Sequence, residues 1–577
     1  MAEMLAATAI MFIVAGPMLL LANRFKLPAP PLLIAAGLFA GAFIEELLVL
    51  ELAQFGIALI VFAFGVGINL TAIEPIIADG ELAALLQITV LGSLGFGFGL
   101  LVGVPAGEAI YLGVAAALSS TMIGTALLQT EISRDLVHGR LGQSIQFVQD
   151  LAAIAFILVL GAGVLAADPI AAQLGYGAVF LIAAFLVNRH LFPVLGRLAD
   201  GSVELMLVGV IAMLVLFIGA ASVAGIPVVV GAFAAGLAVR HDRTEHLGLF
   251  NGLESLKDFF LAIFFVTVGA LVVLPFVHLP PAESMSKLLL VVGLVVLTVV
   301  VKPAVTTAIL IYRGYEARTA TITALSVDQV SEFALIIAIY ALMIEAVGET
   351  VFDAIILAAA VTMITSTVTH RYNEDIYRWL ADRGVIRGRH DKIDELSHVP
   401  EGRTDHVIIL GYGRKGRRVV EVCEELGVPY LVIENDPAIR EQVMVECAAY
   451  VFGDAMEAYS WEKANVEAAR LIVSVTGSRA VSERVLEFGF DADLILRAEE
   501  EADALDLLDA GATYVAVPDL LAGEQLVKNV RALLEGDVAP ETLRADGIAD
   551  LREEQESSLF RRGAPGVESS REDRSPR

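Results

Sequence analysis

The sequence predicts a polytopic α-helical membrane domain of about 13 spans followed by an α/β domain of Rossmann type. Three features predict it. The 577 residues are 57% hydrophobic with a mean hydropathy of +0.73, too apolar and too long for one soluble core. Up to about residue 370, apolar runs long enough for a hydrocarbon layer of roughly 30 Å follow one another with short polar breaks. Beyond that point a glycine-rich turn stands between two runs of strand character.

Taken in order, the apolar runs are 4–22, 29–47, 51–69, 82–103, 107–129, 141–165, 175–195, 203–224, 226–239, 257–278, 287–311, 317–345 and 350–370. Lys and Arg crowd every second loop. Arg24 and Lys26 follow the first run, Arg134 and Arg140 the fifth, and Arg189 and Arg197 border the end of the seventh. Arg240 and Arg243 follow the ninth, Arg313 and Arg318 the eleventh, Arg371 and Arg378 the last. Loops on the other side, such as HLPPAES (278–284) and EAVGET (345–350), carry none. Basic loops mark the cytoplasmic face, so the N-terminus is expected outside, the C-terminus in the cytoplasm, and the span count odd. MAEMLAATAI lacks a basic segment ahead of its apolar run, and no cleavage site clearly ends that run, so it is expected to remain as a span. The expected location is the cytoplasmic (inner) membrane.

Four segments follow from this pattern: a transmembrane domain over 1–370, an amphipathic linker over 371–403, an α/β domain over 404–535 and an acidic tail over 536–577. In the linker, Tyr372, Ile376, Trp379 and Leu380 share a helical face with arginines around it, which suits a helix lying at the inner membrane surface. The tail is rich in Glu, Arg and Ser and is expected to be disordered. Residues 401–577 hold 20 Lys+Arg against 36 Asp+Glu, a net of −16 out of the chain's −28, which argues against nucleic acid as a partner. Cys423 and Cys447 both lie in the part expected in the reducing cytosol and imply no disulfide framework.

HVIILGYGRKGRRVVEVCEELGVPYLVIENDP (406–437) reads as strand, glycine turn, helix and strand. Gly411, Gly413 and Gly416 have the spacing in which one glycine makes the tight turn, one lets backbone N–H groups approach phosphate, and one packs helix on sheet. Glu434, at the end of the next strand, is placed to take a ribose hydroxyl. Arg414, Asp436 and Asp454 complete the candidate ligand set. Further strands at 448–455, 469–477, 493–498 and 513–519 continue a doubly wound pattern. The expected ligand is AMP or another adenine nucleotide, with NAD(H) as a second candidate; a Rossmann-like fold without ligand is the alternative.

A few polar side chains interrupt the membrane part. FVQDLAAIAF (147–156) holds Asp150 with Gln149 beside it, and a bare carboxylate at mid-bilayer costs at least about 2.5–3.5 kcal/mol. It therefore reads as functional, with a structural buried hydrogen bond as the alternative. Ser119, Ser120, Thr121 and Gly124 tolerate a broken helix, and equally suit small-residue packing between helices. SVDQVSE (326–332) sets Asp328 and Glu332 deep in the twelfth run. Lys302, followed by Pro303, is either part of the site or an anchor snorkelling to the inner interface.

The pattern of QD in FVQDLAAI, ALSSTMIGTALLQ (117–129), FFLAIFFVTVGA (259–270) and DQVSEFALII (328–337), ahead of a nucleotide-binding domain, resembles the monovalent cation:proton antiporters of the Kef type. The resemblance runs to about residue 530 and rests on the order of the motifs more than on any one. It implies a fold similar to bacterial sodium/proton antiporters: inverted repeats, a dimerisation bundle, and a core bundle with two unwound, crossing helices, here runs 5 and 12. It implies that Lys302 faces the ion site, that Pro303 frees a carbonyl nearby, and that Glu332 fills the family's acidic position, whereas Asp328 stands where a small polar residue is usual. Glutathione gating is not carried over, because RAEEEADALDLLDAG (497–511) is acidic, with Arg497 the main basic candidate, and does not suit an anionic tripeptide.

The function expected is a homodimeric K+ (or Na+)/H+ antiporter in the lipid bilayer, electroneutral or weakly electrogenic, gated by nucleotide. An alkali cation and a proton would compete for Asp150, with Gln149, Ser120 and Thr121 supplying further oxygens. Two other classes share some of these features. A nucleotide-gated cation channel is disfavoured by the lack of a TVGYG-like filter. A membrane-tethered NAD-dependent oxidoreductase is disfavoured because nothing near the Rossmann turn pairs a hydride acceptor site with a general acid.

Overall fold

The computed structural model describes residues 2–44, 46–68, 73–133, 136–161, 167–199, 202–240, 247–276, 280–386, 396–400, 402–545 and 547–549. Arg134, Arg243, residues 278–279 of the HLPPAES loop, 387–395 of the linker and the tail beyond 549 lie outside the described residues. By their contacts the residues form two units, Met1–Glu395 with Asn435–Gln442, and Leu396–Glu434 with Val443–Arg577.

The first unit is all helix: α1 Ala2–Phe25, α2 Ala29–Ala40, α3 Glu46–Gly67, α4 Ile73–Leu101, α5 Ala106–Ala117, α6 Thr121–Leu127, α7 Gln129–Ser133, α8 Val137–Gly161, α9 Ala167–Leu186, α10 Phe192–Ala199, α11 Val203–Ala224, α12 Val228–Leu237, α13 Leu247–Ala270, α14 Pro281–Val296, α15 Lys302–Arg313, α16 Ala317–Leu325, α17 Glu332–Met343, α18 Glu349–Arg371 and α19 Asn373–Asp382. Among the described residues nine helices are long and apolar enough to cross a membrane, and the shorter apolar helices are Ala29–Ala40, Val228–Leu237, Phe259–Ala270 and Glu332–Met343. Each apolar run read from the sequence falls on one of these.

Local chemistry explains the ends and contacts. α2 follows Pro28 and carries Pro30 in its first turn, where a missing N–H breaks no helical bond. Small residues let helices touch backbone to backbone. A Cβ on Gly37 would overlap the Val266 carbonyl, one on Gly269 the Ile34 carbonyl, and one on Gly236 the Phe62 carbonyl, so α2 packs on α13, and α12 on α3, at glycine faces. Single π turns, Val187–Leu191 and Leu297–Val301, join α9 to α10 and α14 to α15. The second ends at Lys302, and Pro303 follows, unable to donate a helical hydrogen bond.

Runs 5 and 12 are interrupted. α5 and α6 are separated by non-helical residues 118–120, and α16 and α17 by 326–331. In α19 Tyr377 is buried against the protein, whereas Tyr372 and Trp379, on the face read from the sequence as lying against the membrane surface, are exposed, and Arg383 stacks on Trp379 at 4.1 Å.

In the second unit six parallel strands, β1 His406–Leu410, β2 Tyr430–Glu434, β3 Tyr450–Phe452, β4 Ala469–Ser474, β5 Asp493–Arg497 and β6 Tyr514–Ala516, lie in the order β3-β2-β1-β4-β5-β6. β1 and β2 are buried along their whole length, as continuous apolar strands covered on both faces should be. The order reverses between β1 and β4, which puts the glycine turn after β1 at the switch point of the sheet.

Candidate functional site

Breaking a helix leaves carbonyls without donors at one half's C-terminus and N–H groups without acceptors at the other's N-terminus. The two breaks here satisfy much of each other's need. Ser119 Oγ donates to the Val327 carbonyl at 2.8 Å, and Gln329 Nε2 donates to the Ser120 carbonyl at 3.0 Å. Lys302 Nζ donates to the Leu118 carbonyl at 2.9 Å and the Gln329 carbonyl at 3.0 Å, and lies 3.4 Å from Ser119 Oγ. Its charge therefore sits where carbonyls point out of both breaks. The side chain is fully buried, which excludes the interfacial anchor left open by the sequence.

Carboxylates gather at the opposite pole, the N-terminus of α6. Ser120 caps this helix by accepting from the Ile123 N–H at 3.2 Å. Thr121 Oγ1 donates to Asp150 Oδ2 at 2.5 Å, and the Met122 N–H donates to Glu332 Oε1 at 3.2 Å. Anionic groups at a helix start and an ammonium at helix ends both match the helix dipoles. Asp150 Oδ1 and Glu332 Oε2, each inside the protein core, have no hydrogen-bond partner.

Gln149 has a different place from the one its position beside Asp150 suggests. Its Oε1 accepts from the Ser119 N–H at 2.8 Å and its Nε2 donates to the Ala117 carbonyl at 3.3 Å, so it bridges the first break, and its oxygen is already engaged. Asp328 is buried in the second break, where its Oδ2 accepts from Thr369 Oγ1 at 2.7 Å. Sequence reading missed the face of α18 that serves this break. Thr362 Oγ1 accepts from the Val330 N–H at 3.1 Å, and Ser366 Oγ donates to Gln329 Oε1 at 3.1 Å. Thr362, Ser366 and Thr369 recur at helical spacing within an apolar span, a signal visible in AVTMITSTVTH (360–370).

In the second unit Gly411 takes φ +91 at the end of β1. A Cβ on Gly416 would overlap the Gly411 carbonyl, whereas the position of one on Gly413 is open, so Gly416 packs helix on strand and Gly413 leaves room above the helix start. Buried Glu434 accepts from the Tyr412 N–H through Oε2 at 2.6 Å, tying the end of β2 to the turn. Asp454 is also buried, and its Oδ1 accepts from the Met456 N–H at 2.9 Å, whereas Asp436 falls in the Asn435–Gln442 stretch that groups with the first unit. The helix Arg414–Glu425 opens with Arg414 and Lys415 and has no acid in its first turn, contrary to what its own dipole favours. Desolvation first, and then the Arg497 guanidinium, hold the Lys415 ammonium below its usual range, as expected where cations crowd together. Arg497 itself pairs with Glu499 at 2.6 Å.

Comparison with known proteins covers both domains of the chain. Residues 9–371 match the model of the transmembrane sodium/hydrogen exchanger, and residues 407–518 that of the TrkA-N domain. A putative K+ efflux antiporter, KefB of Alkalimonas amylolytica, is 25% identical over 550 residues, covering 90% of this chain and 79% of its own. The putative cation/proton antiporter YbaL of Escherichia coli (strain K12) is 24% identical over 550 residues, covering 91% and 96%. Among solved structures, the sodium proton antiporter MjNhaP1 of Methanocaldococcus jannaschii shares the fold, with a TM-score of 0.50 at 14% identity over 65% of this chain and 98% of that one. With two broken helices in its membrane domain and a TrkA-N domain following in sequence, the chain belongs to the transmembrane sodium/hydrogen exchanger family and is a cation/proton antiporter of Kef-type architecture.

Proposed function

We propose that the protein exchanges K+ or Na+ for H+ across the cytoplasmic membrane at Asp150, under control of an adenine nucleotide bound at the glycine turn. The observation that carries this is the carboxylate of Asp150, held by Thr121 at the start of α6 with one buried oxygen left without a hydrogen-bond partner. Such an oxygen suits a proton or a dehydrated cation, one at a time, and a site occupied by either is closer to neutral than the bare carboxylate. Lys302 and the break carbonyls it bonds form the fixed positive frame, Ser119, Ser120 and Gln149 hold the break open, and Glu332 adds a second acid.

In this reading the chain crosses the bilayer 13 times, with its N-terminus outside, its C-terminus in the cytoplasm, and two copies forming a homodimer. The open position over Gly413, the cationic start of its helix and buried Glu434 favour a nucleotide's phosphate and ribose. One relative, from Klebsiella pneumoniae, is named a glutathione-regulated potassium-efflux protein, KefC. Here Arg497 is paired with Glu499 within an acidic segment, which favours nucleotide over glutathione as the effector.

Flux driven by a pH gradient in proteoliposomes, with Na+, K+ and Li+ compared and with or without AMP or NAD(H), tests the proposal. Asp150→Asn is expected to abolish exchange while the purified chain stays folded, because an amide cannot take up and release a proton. Near-normal exchange by that variant refutes Asp150 as the shared site.

A further inference from the structure

On α8, residues four apart share a face, so Gln146 lies one turn before Asp150. It is 0% exposed. Its Nε2 donates to the Ser120 carbonyl at 3.2 Å, which fixes the orientation of the amide, since the flipped form would set two carbonyl oxygens against each other. Gly124 makes room for it: a Cβ there would overlap the Gln146 amide. Oε1 is left with no hydrogen-bond donor, although a buried acceptor in that condition costs about 1–3 kcal/mol.

Two further acceptors in the same condition are tied to the same turn. Ser120, Thr121 and Met122 are consecutive, and they hold Gln146, Asp150 and Glu332 respectively. Each of those side chains has one oxygen bare: Gln146 Oε1, Asp150 Oδ1 and Glu332 Oε2. Oxygens free of other donors are what a hard alkali cation needs in place of its hydration shell.

We infer that Gln146 is a cation ligand and selectivity determinant of the exchanger, its Oε1 joining Asp150 Oδ1 and Glu332 Oε2 around the dehydrated monovalent ion. The inference rests on Asp150 as the shared site. A neutral amide oxygen fixes the shape of the oxygen set without adding charge, so it tunes which ion fits and leaves proton uptake to the carboxylates. Gln149, the nearer amide in sequence, cannot take this role in the arrangement seen, because its oxygen is bonded to Ser119.

The test uses the full chain in proteoliposomes with Gln146→Leu, which keeps an apolar core and removes the oxygen, beside Gln146→Asn, Gly124→Ala and Asp150→Asn. Gln146→Leu is expected to raise the half-saturating concentration of the transported cation about tenfold, equivalent to about 1.4 kcal/mol, and to change the ranking of Na+, K+ and Li+. Gly124→Ala, which displaces the amide, should move the same two quantities in the same direction, and Gln146→Asn should recover part of the loss. Where Gln146→Leu does not yield folded protein, thallous ion binding to purified wild type and Gly124→Ala reads the same site, with weaker binding by the variant expected. Wild-type half-saturation and ion ranking in Gln146→Leu, or unchanged thallous affinity in Gly124→Ala, overturns the inference while Asp150→Asn stays inactive. Activity in Asp150→Asn instead overturns the shared site on which it rests.

Discussion

Replacing Lys302 by Met keeps a long side chain of similar volume and removes the ammonium. The Leu118 and Gln329 carbonyls then lose their shared donor, and Ser119 Oγ loses its charged neighbour. A buried acceptor without a donor costs about 1–3 kcal/mol, so two carbonyls together represent about 2–6 kcal/mol. The substitution also removes the cost of keeping an ammonium away from water, which pulls the net loss to the lower end of that range, about 2 kcal/mol. For a cationic side chain at the membrane interface the corresponding change would stay within about 0.5 kcal/mol, as for other surface positions. The assay is thermal loss of monodispersity of the purified full chain in detergent, followed by size-exclusion chromatography. Lys302→Met is expected to lower the midpoint clearly. Lys302→Arg should fall between the two, because a planar fork of donors does not match acceptors gathered around one nitrogen. A midpoint for Lys302→Met equal to that of wild type would refute the placement of this charge between the two breaks.

Gly413→Val fills the open position above the start of the nucleotide-domain helix, so adenine nucleotide binding measured by calorimetry on the full chain should be lost while the half-saturating cation concentration stays as in wild type. Retained binding would show that phosphate does not approach there. Glu434→Ala leaves the Tyr412 N–H without its acceptor as well as removing the ribose partner, so weaker nucleotide binding is expected together with a loss of about 1–3 kcal/mol in domain stability. Denaturant unfolding monitored beside calorimetry separates the two effects, and wild-type behaviour in both would remove Glu434 from the site.

The helical runs and the strand pattern were legible because burial imposes periodicity on the chain. Apolar runs of membrane length and alternating basic loops need no knowledge of tertiary contacts, and neither does the spacing of Gly411, Gly413 and Gly416. The two breaks were legible only through family resemblance, since Ser119 to Thr121 are compatible with ordinary packing as well. Gln149 shows why adjacency misleads. Consecutive residues on a helix point about 100° apart, so the amide next to Asp150 serves another face, whereas Gln146, four residues away, returns to the carboxylate's side. The depth of Lys302 was not legible because it depends on the neighbours that surround its ammonium, not on its distance along the chain from the span's end. The hydroxyls of α18 were visible as a periodic stripe, but their partner, an unwound segment some thirty to forty residues earlier, was not.

The π turn Leu297–Val301 has a consequence for the length of the chain between α14 and α15. A π turn holds one residue more than the regular helix around it would. Removing that residue would restore a regular helix and rotate everything beyond it by about 100° relative to α14. Lys302 is the first residue past the turn, so the rotation would swing its ammonium off the carbonyls it now bridges. The number of residues between α14 and Lys302 is thus part of the ion site's architecture, and deletion of one residue within the turn is expected to displace the ammonium from both carbonyls.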